Sequence, residues 1–145
     1  MIKSILCAVD ISDPDDDKPV LRRAAILAES EGASLDVMTV LPDYGMSVVG
    51  SFFEQSHHDQ AVDEAKVRLD ALVTDCLGEK ANTKVRHIVA TGKAYEEILK
   101  TAELSNSDLI VIGAHTPDLA DYLLGPNAAR VVRHSNCSVF VVRES

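Results

Sequence analysis

The sequence predicts an α/β fold: one domain built on a five-stranded parallel sheet with helices on both faces. Three observations predict it. Short apolar runs alternate with stretches of helical period along the whole chain, in the order β-α-β-α-β-α-β-α-β. Such alternation implies parallel strands joined by right-handed crossovers. The chain has 145 residues, which suits a single domain spanning 1–145. Apolar residues make up 46% of it while aromatics are 4% and Trp is absent, so the core must be Val, Ile, Leu and Ala. No internal repeat, linker or low-complexity tract divides the chain.

The first element, SILCAVD (Ser4–Asp10), is a short apolar run ending at an acid and reads as a buried strand. ISDPDDDKP (11–19) reads as a turn rich in Asp and Pro, with Asp15–Asp17 as a run that could attract a divalent ion but is more often a solvated helix start. The helix that follows places Val20, Ala24, Leu27 and Ala28 on one face and stops at Gly32. SLDVMTVLP (Ser34–Pro42) is the second strand. Residues 42–58 keep no steady period and read as the longest irregular stretch, the kind that is usually functional or mobile. Val62, Ala65, Leu69, Leu72 and Cys76 then recur at three- and four-residue spacing, a helix.

TKVRHIVA (Thr83–Ala90) alternates and reads as a third strand near a sheet edge. KAYEEILKTAEL is a helix with Tyr95, Ile98, Leu99 and Ala102 inward. DLIVIGA is the most apolar strand, NAARVVRHS a last helix and SVFVV a last strand.

The formal net charge is −9, which argues against nucleic acid or an anionic membrane as main partner. Cys7, Cys76 and Cys137 are odd in number, widely spaced and free of a C-x-x-C pattern, as expected of reduced thiols in a cytoplasmic protein. The N-terminal apolar run breaks at Asp10, too short for a signal peptide, and no stretch approaches membrane-spanning length.

In open α/β sheets ligands sit beyond the carboxyl ends of the strands, where strand order reverses. Asp10 ends the first strand, where its carboxylate would accept hydrogen bonds from a ribose hydroxyl or an amine. An ordinary turn Asp is the alternative. Ala8, Val9 and Val40 would line a flat apolar slot suited to an adenine ring, or simply belong to the core. Gly113 ends the most apolar strand and lets a ligand approach the backbone. Gly125 precedes Pro126, and proline favours the first position of a helix. Gly125 is therefore the expected N-cap, with the amides of Asn127 and Ala128 pointing from a helix start that suits an anion. Two structural glycines at two turns remain the alternative.

Other candidates are plainer. ATGKAY lacks the earlier glycine and the Ser/Thr of a Walker loop. His57–Asp59 has no second ligand cluster in the sequence to complete a metal site. His115, His134, Arg130 and Arg133 would touch phosphates or be solvated. The sequence contains no G-x-S-x-G, and no G-x-G-x-x-G follows the first strand, so nothing assigns a nucleophile or general base.

ILCAVDIS, GKAYEEILKTAELSNSDLIVIGAH and YLLGPNAARVVRHSNCSVFVV together resemble the universal stress proteins over essentially the whole chain. The H-x-P-D and LLG-x-NAA-x-VVRH strings are most similar to the single-domain, nucleotide-binding branch typified by UspF and TeaD. The resemblance implies a doubly wound, Rossmann-like (adenine nucleotide alpha hydrolase-like) sheet of order 3-2-1-4-5. It also implies a homodimer through Ser138–Val142, with higher assembly as an extension.

ATP-binding members carry a glycine, a second glycine three residues on and, nine residues later, a glycine followed by Ser or Thr. Gly113 matches the first. Thr116 stands at the second, Gly125 matches the third after eight residues, and Pro126 replaces the Ser/Thr. Loss of one charge-assisted hydrogen bond costs roughly 1.5–3 kcal/mol, or about tenfold to a hundredfold in affinity.

By this resemblance the site comprises Ala8, Val9, Asp10, Val40, Ile112, Gly113, Ala114, His115, Thr116, Gly125, Pro126, Asn127 and Ala128. The expected ligand is ATP or another adenine nucleotide, with Mg²⁺. The expected function is regulation of a partner, with a solute transporter of the TRAP type as one candidate, and not efficient catalysis. A nucleotide-free interaction module and a slow ATPase or phosphotransferase using His115 or Asp118 are the alternatives. No nucleic acid and no membrane insertion are expected.

Overall fold

Each apolar run becomes a strand and each stretch of helical period a helix. The computed structural model describes residues 1–12, 14–42, 51–114 and 125–143. In chain order the elements are β1 (Ser4–Ala8), α1 (Pro14–Glu31), β2 (Ser34–Leu41), α2 (Ser51–Leu77), the single turn α3 (Glu79–Asn82), β3 (Val85–Thr91), α4 (Ala94–Leu104), β4 (Leu109–Gly113), α5 (Gly125–His134) and β5 (Ser138–Val142). All strand pairs are parallel and the sheet order is β3-β2-β1-β4-β5. This is the expected doubly wound order, with β1 central and β3 and β5 at the edges.

Strand alternation divides the core into two layers. Ile5, Cys7 and Val9 of β1 and its extension pack with Val20, Leu21, Ala24 and Ala28 of α1 and Leu69, Leu72 and Val73 of α2. Leu6 and Ala8 face the other way, against Ala94, Ile98 and Ala102 of α4 and Ala128 and Val131 of α5. Burial on both faces explains why β1 and β4 are continuously apolar. β2 carries one acid, Asp36, whose carboxylate takes both prongs of Arg86 on β3, at 3.1 and 2.7 Å. The same guanidinium donates to Ser105 at the end of α4, at 3.0 Å, so one pair ties two strands to a helix.

The helix ends follow local chemistry. Gly32 has φ +64°. Its N–H donates to Glu29 O and that of Ala33 to Ala28 O, a Schellman end that needs the left-handed conformation glycine tolerates. α4 ends in the same way with Asn106 in the glycine role, at φ 52°. At the far end of α2, the Asn82 amide donates to Asp70 and Thr74. Its oxygen is thus left to accept from His87 Nε2–H on β3, at 2.7 Å.

Several boundaries differ from expectation: β1 closes at Ala8, two residues before Asp10, β2 at Leu41, and β3 runs Val85–Thr91; three more concern the helices. The turn assigned to 11–19 is shorter, because α1 begins at Pro14. Proline suits the first helical position, and Asp15–Asp17 favour the positive end of the helix dipole. Pro19, inside α1 near its start, lacks the N–H that would reach the carbonyl of Asp15. The irregular stretch assigned to 42–58 is also shorter, since α2 begins at Ser51; residues 43–50 lie outside the described residues. α5 begins at Gly125 itself, so the expected N-cap is already helical.

Candidate functional site

From β1 the chain builds outward to β2 and β3, then crosses back to β4 and β5. The reversal opens a crevice between the carboxyl ends of β1 and β4. Their last paired residues are Cys7 and Val111. Val9 and Asp10 follow the end of β1, and Ala114 follows Gly113 at the end of β4, at this same end of the sheet.

Asp10 is buried and held twice. Its backbone N–H donates to Oδ2 of Asp17, a side chain with no exposure at all. Its own Oδ1 accepts the N–H of Ser12 at 2.9 Å and the Ser12 hydroxyl at 2.6 Å. The turn reading and the ligand reading of Asp10 are therefore compatible: one oxygen makes the turn. Among the described residues, Ser107 Oγ is the sole fully buried side-chain polar atom without a hydrogen bond. Asp10 Oδ2 has no hydrogen-bond partner among them either, so it retains accessible surface.

Around this acid, Ala8, Val40, Ile112 and Ala128 are all buried in the layer under α4 and α5. They form a continuous apolar floor reaching from β2 to the first turn of α5. Val9 does not belong to that floor. Its side chain packs in the opposite layer and its N–H donates to Met38 O at 2.9 Å. A slot shared with Ala8 and Val40 uses Val9 through its backbone only, since neighbours on a strand point to opposite faces.

Gly113 is the last residue of β4, paired with Val142 of β5. The Ala114 N–H donates to the Val142 carbonyl at 2.9 Å, so the first amide beyond β4 already has a partner. Gly125 and Pro126 are the first two residues of α5. Asn127 is half-buried and Ala128 buried. The first turn of α5 carries no acid, while Arg133 and His134 lie in its last turn; the charges leave its start open to an anion. His115, Thr116 and Asp118 lie outside the described residues.

Two residues that matter to Asp10 were missed in the sequence, and each had a signal. Stepping back from Ala28, Ala24 and Val20 at helical spacing lands on Asp17, which is inward and buried instead of solvated like Asp15. Ser12 stands two residues after Asp10, the spacing of an Asx turn.

The remaining candidates lie elsewhere. His58 is on α2, 3.3 Å from Thr91 Oγ1 at the end of β3. Among the described residues no group of three or more His, Cys, Asp or Glu is placed to hold a metal. Arg130 stacks over the Tyr95 ring at 5.1 Å, joining α5 to α4. Burial pushes the Cys7 thiol well above its ordinary pKa, reinforced by the neighbouring Asp17. Burial also raises that of Cys76. Both are therefore thiols at neutral pH and poor nucleophiles. No helix among the described residues is long and apolar enough to cross a membrane.

Residues 1–143 match the profile of the Universal stress protein family. Universal stress protein G of Salmonella typhimurium is 31% identical over 150 residues, covering 99% of this chain and 100% of its own. The solved structure of protein MJ0577, from Methanocaldococcus jannaschii, is 26% identical. It superposes with a TM-score of 0.78 over 100% of this chain and 98% of that one. The fold is shared with a universal stress protein solved in complex with cAMP, at 20% identity and TM-score 0.63 over 99% of both chains. It is shared too with the Archaeoglobus fulgidus universal stress protein in complex with dAMP, at 21% identity and TM-score 0.59 over 97% of this chain and 98% of that one.

Proposed function

This chain belongs to the universal stress protein family, and from that premise we propose that it binds an adenine nucleotide, ATP foremost, and acts as a regulatory protein, not an efficient enzyme. The observation that carries the reading is Asp10 at the strand-order reversal, with one carboxylate oxygen accessible above an apolar floor. The cAMP and dAMP complexes of proteins sharing the fold support the ligand class.

In this reading the adenine lies near Val40 and the Val9 backbone, and the ribose at Asp10. The phosphates run over Gly113–Thr116 toward Gly125–Ala128. The described residues offer no metal cage of their own, so Mg²⁺ would be carried chiefly by the phosphates.

The regulatory output is assembly and partner choice. The proposed homodimer pairs β5 with its copy, which covers an edge strand that exposes Phe140. A solute transporter of the TRAP type, membership of the UspF/TeaD-like branch and a cytoplasmic site of action complete the proposal. The three free cysteines suit that compartment.

A second reading, a nucleotide-free interaction module, draws on one observation: the Ala114 amide is already committed to Val142. Thr116 and Pro126 point the same way.

Native mass spectrometry of freshly purified protein separates the two. The expected result is a dimer carrying adenine-nucleotide mass, or acquiring it from millimolar Mg-ATP. A dimer that stays bare under those conditions overturns the nucleotide reading in favour of the module.

A further inference from the structure

We infer that Asp10 reads the sugar of its nucleotide through a single carboxylate oxygen, and that Ser12 is the positioning residue that imposes this limit. The inference rests on the nucleotide reading above and deepens it to a sugar specificity.

A carboxylate oxygen has two lone pairs in its plane. Oδ1 of Asp10 spends both on Ser12, one on the N–H at 2.9 Å and one on the hydroxyl at 2.6 Å. The backbone of Asp10 is fixed independently, by its N–H on the fully buried Asp17 carboxylate. With main chain and Oδ1 both anchored, the carboxylate cannot turn to offer its other edge. Oδ2 remains, accessible and without a hydrogen-bond partner among the described residues.

Gripping both hydroxyls of a ribose uses the two oxygens of a carboxylate side by side. The two lone pairs of a single oxygen diverge, whereas the adjacent hydroxyls of one ribose approach from nearly the same direction, so a carboxylate with one oxygen filled grips one hydroxyl in good alignment and leaves the other chiefly to water. The site should therefore distinguish sharply between the two hydroxyl positions. Removing the gripped hydroxyl takes from Oδ2 the donor the site aligns with it; removing its neighbour costs little.

The test is isothermal titration of the full chain with ATP, 2′-deoxy-ATP and 3′-deoxy-ATP, on wild type, Ser12→Ala and Ser12→Thr. In wild type one deoxy analogue should bind about tenfold to a hundredfold more weakly than ATP, the range of one charge-assisted hydrogen bond. The other should stay within about threefold of ATP. In Ser12→Ala the freed Oδ1 should make the tolerated analogue lose at least about fivefold as well, while Ser12→Thr keeps the wild-type pattern. A merely structural role for Ser12 would weaken all three ligands together and leave their ratios unchanged.

Comparable loss with both analogues in wild type, loss with neither, or unchanged ratios in Ser12→Ala overturns the inference while leaving nucleotide binding standing. Failure of ATP itself to bind overturns both the nucleotide reading and this inference.

Discussion

At the residue scale, three acids in this molecule, Asp10, Asp17 and Asp108, accept backbone N–H groups. Asp17 takes the amide of Asp10. Asp108, just before β4, takes the amides of Lys3 and Ser4 at 2.8 and 3.1 Å and so fastens the start of β1. Those two hydrogen bonds hold the Asp108 carboxyl below its ordinary pKa. The folded-state value lies under the unfolded one. Its contribution to stability is therefore complete above about pH 4 and is lost as pH falls through the folded value. Asp108→Asn should be less stable than wild type at pH 7, and the gap should close at acid pH. Urea unfolding at intervals from pH 7 to pH 3 checks this, and parallel pH profiles would refute it. The amide-accepting role of Asp17 had a partial local signal, because helical period turns it inward. That of Asp108 had none, because its partners lie more than a hundred residues away.

At the element scale, helix ends were more legible than helix starts. Gly32 was readable as a stop, and its positive φ shows the physical reason. Gly32→Ala forces a Cβ into the left-handed region and should cost about 1 kcal/mol. Equilibrium denaturation measures it, and an unchanged midpoint would mean the Schellman end is dispensable. Starts were obscured where signals competed. Pro19 looked like a boundary, yet Pro14 and three acids outweighed it. Ser51–His58 shows no amphipathic period, so the opening turns of α2 had no apolar stripe to reveal them. Ala8 and Val9 carry a different lesson. Adjacent strand residues face opposite layers, so their assignment to one adenine slot was already at odds with the period of two.

At the scale of the whole molecule, the edge strand β5 and the candidate site share a hydrogen bond, from the Ala114 N–H to the Val142 carbonyl. The proposed dimer edge therefore ends on the residue that holds the chain as it leaves β4. Phe140→Asp places a charge on that edge, where the native residue is 39% exposed. It should weaken self-association at least about tenfold, as sedimentation velocity over a dilution series would record. Unchanged association would move the dimer interface elsewhere.

Composition, the alternation of elements and most inward faces were determined by the sequence itself, because side-chain periods of two and 3.6 are local properties that each segment carries. The acid two residues beyond β1 and the glycine at the end of β4 were legible for the same reason. The order of the strands was expected only through resemblance to a family. Tertiary structure alone decided three further things: that Arg86 reaches Asp36, that the Ala114 amide is spent on Val142, and that the Asp10 backbone is pinned by Asp17. Each depends on where separate segments meet, and no local pattern encodes a meeting between residues that the fold alone brings together.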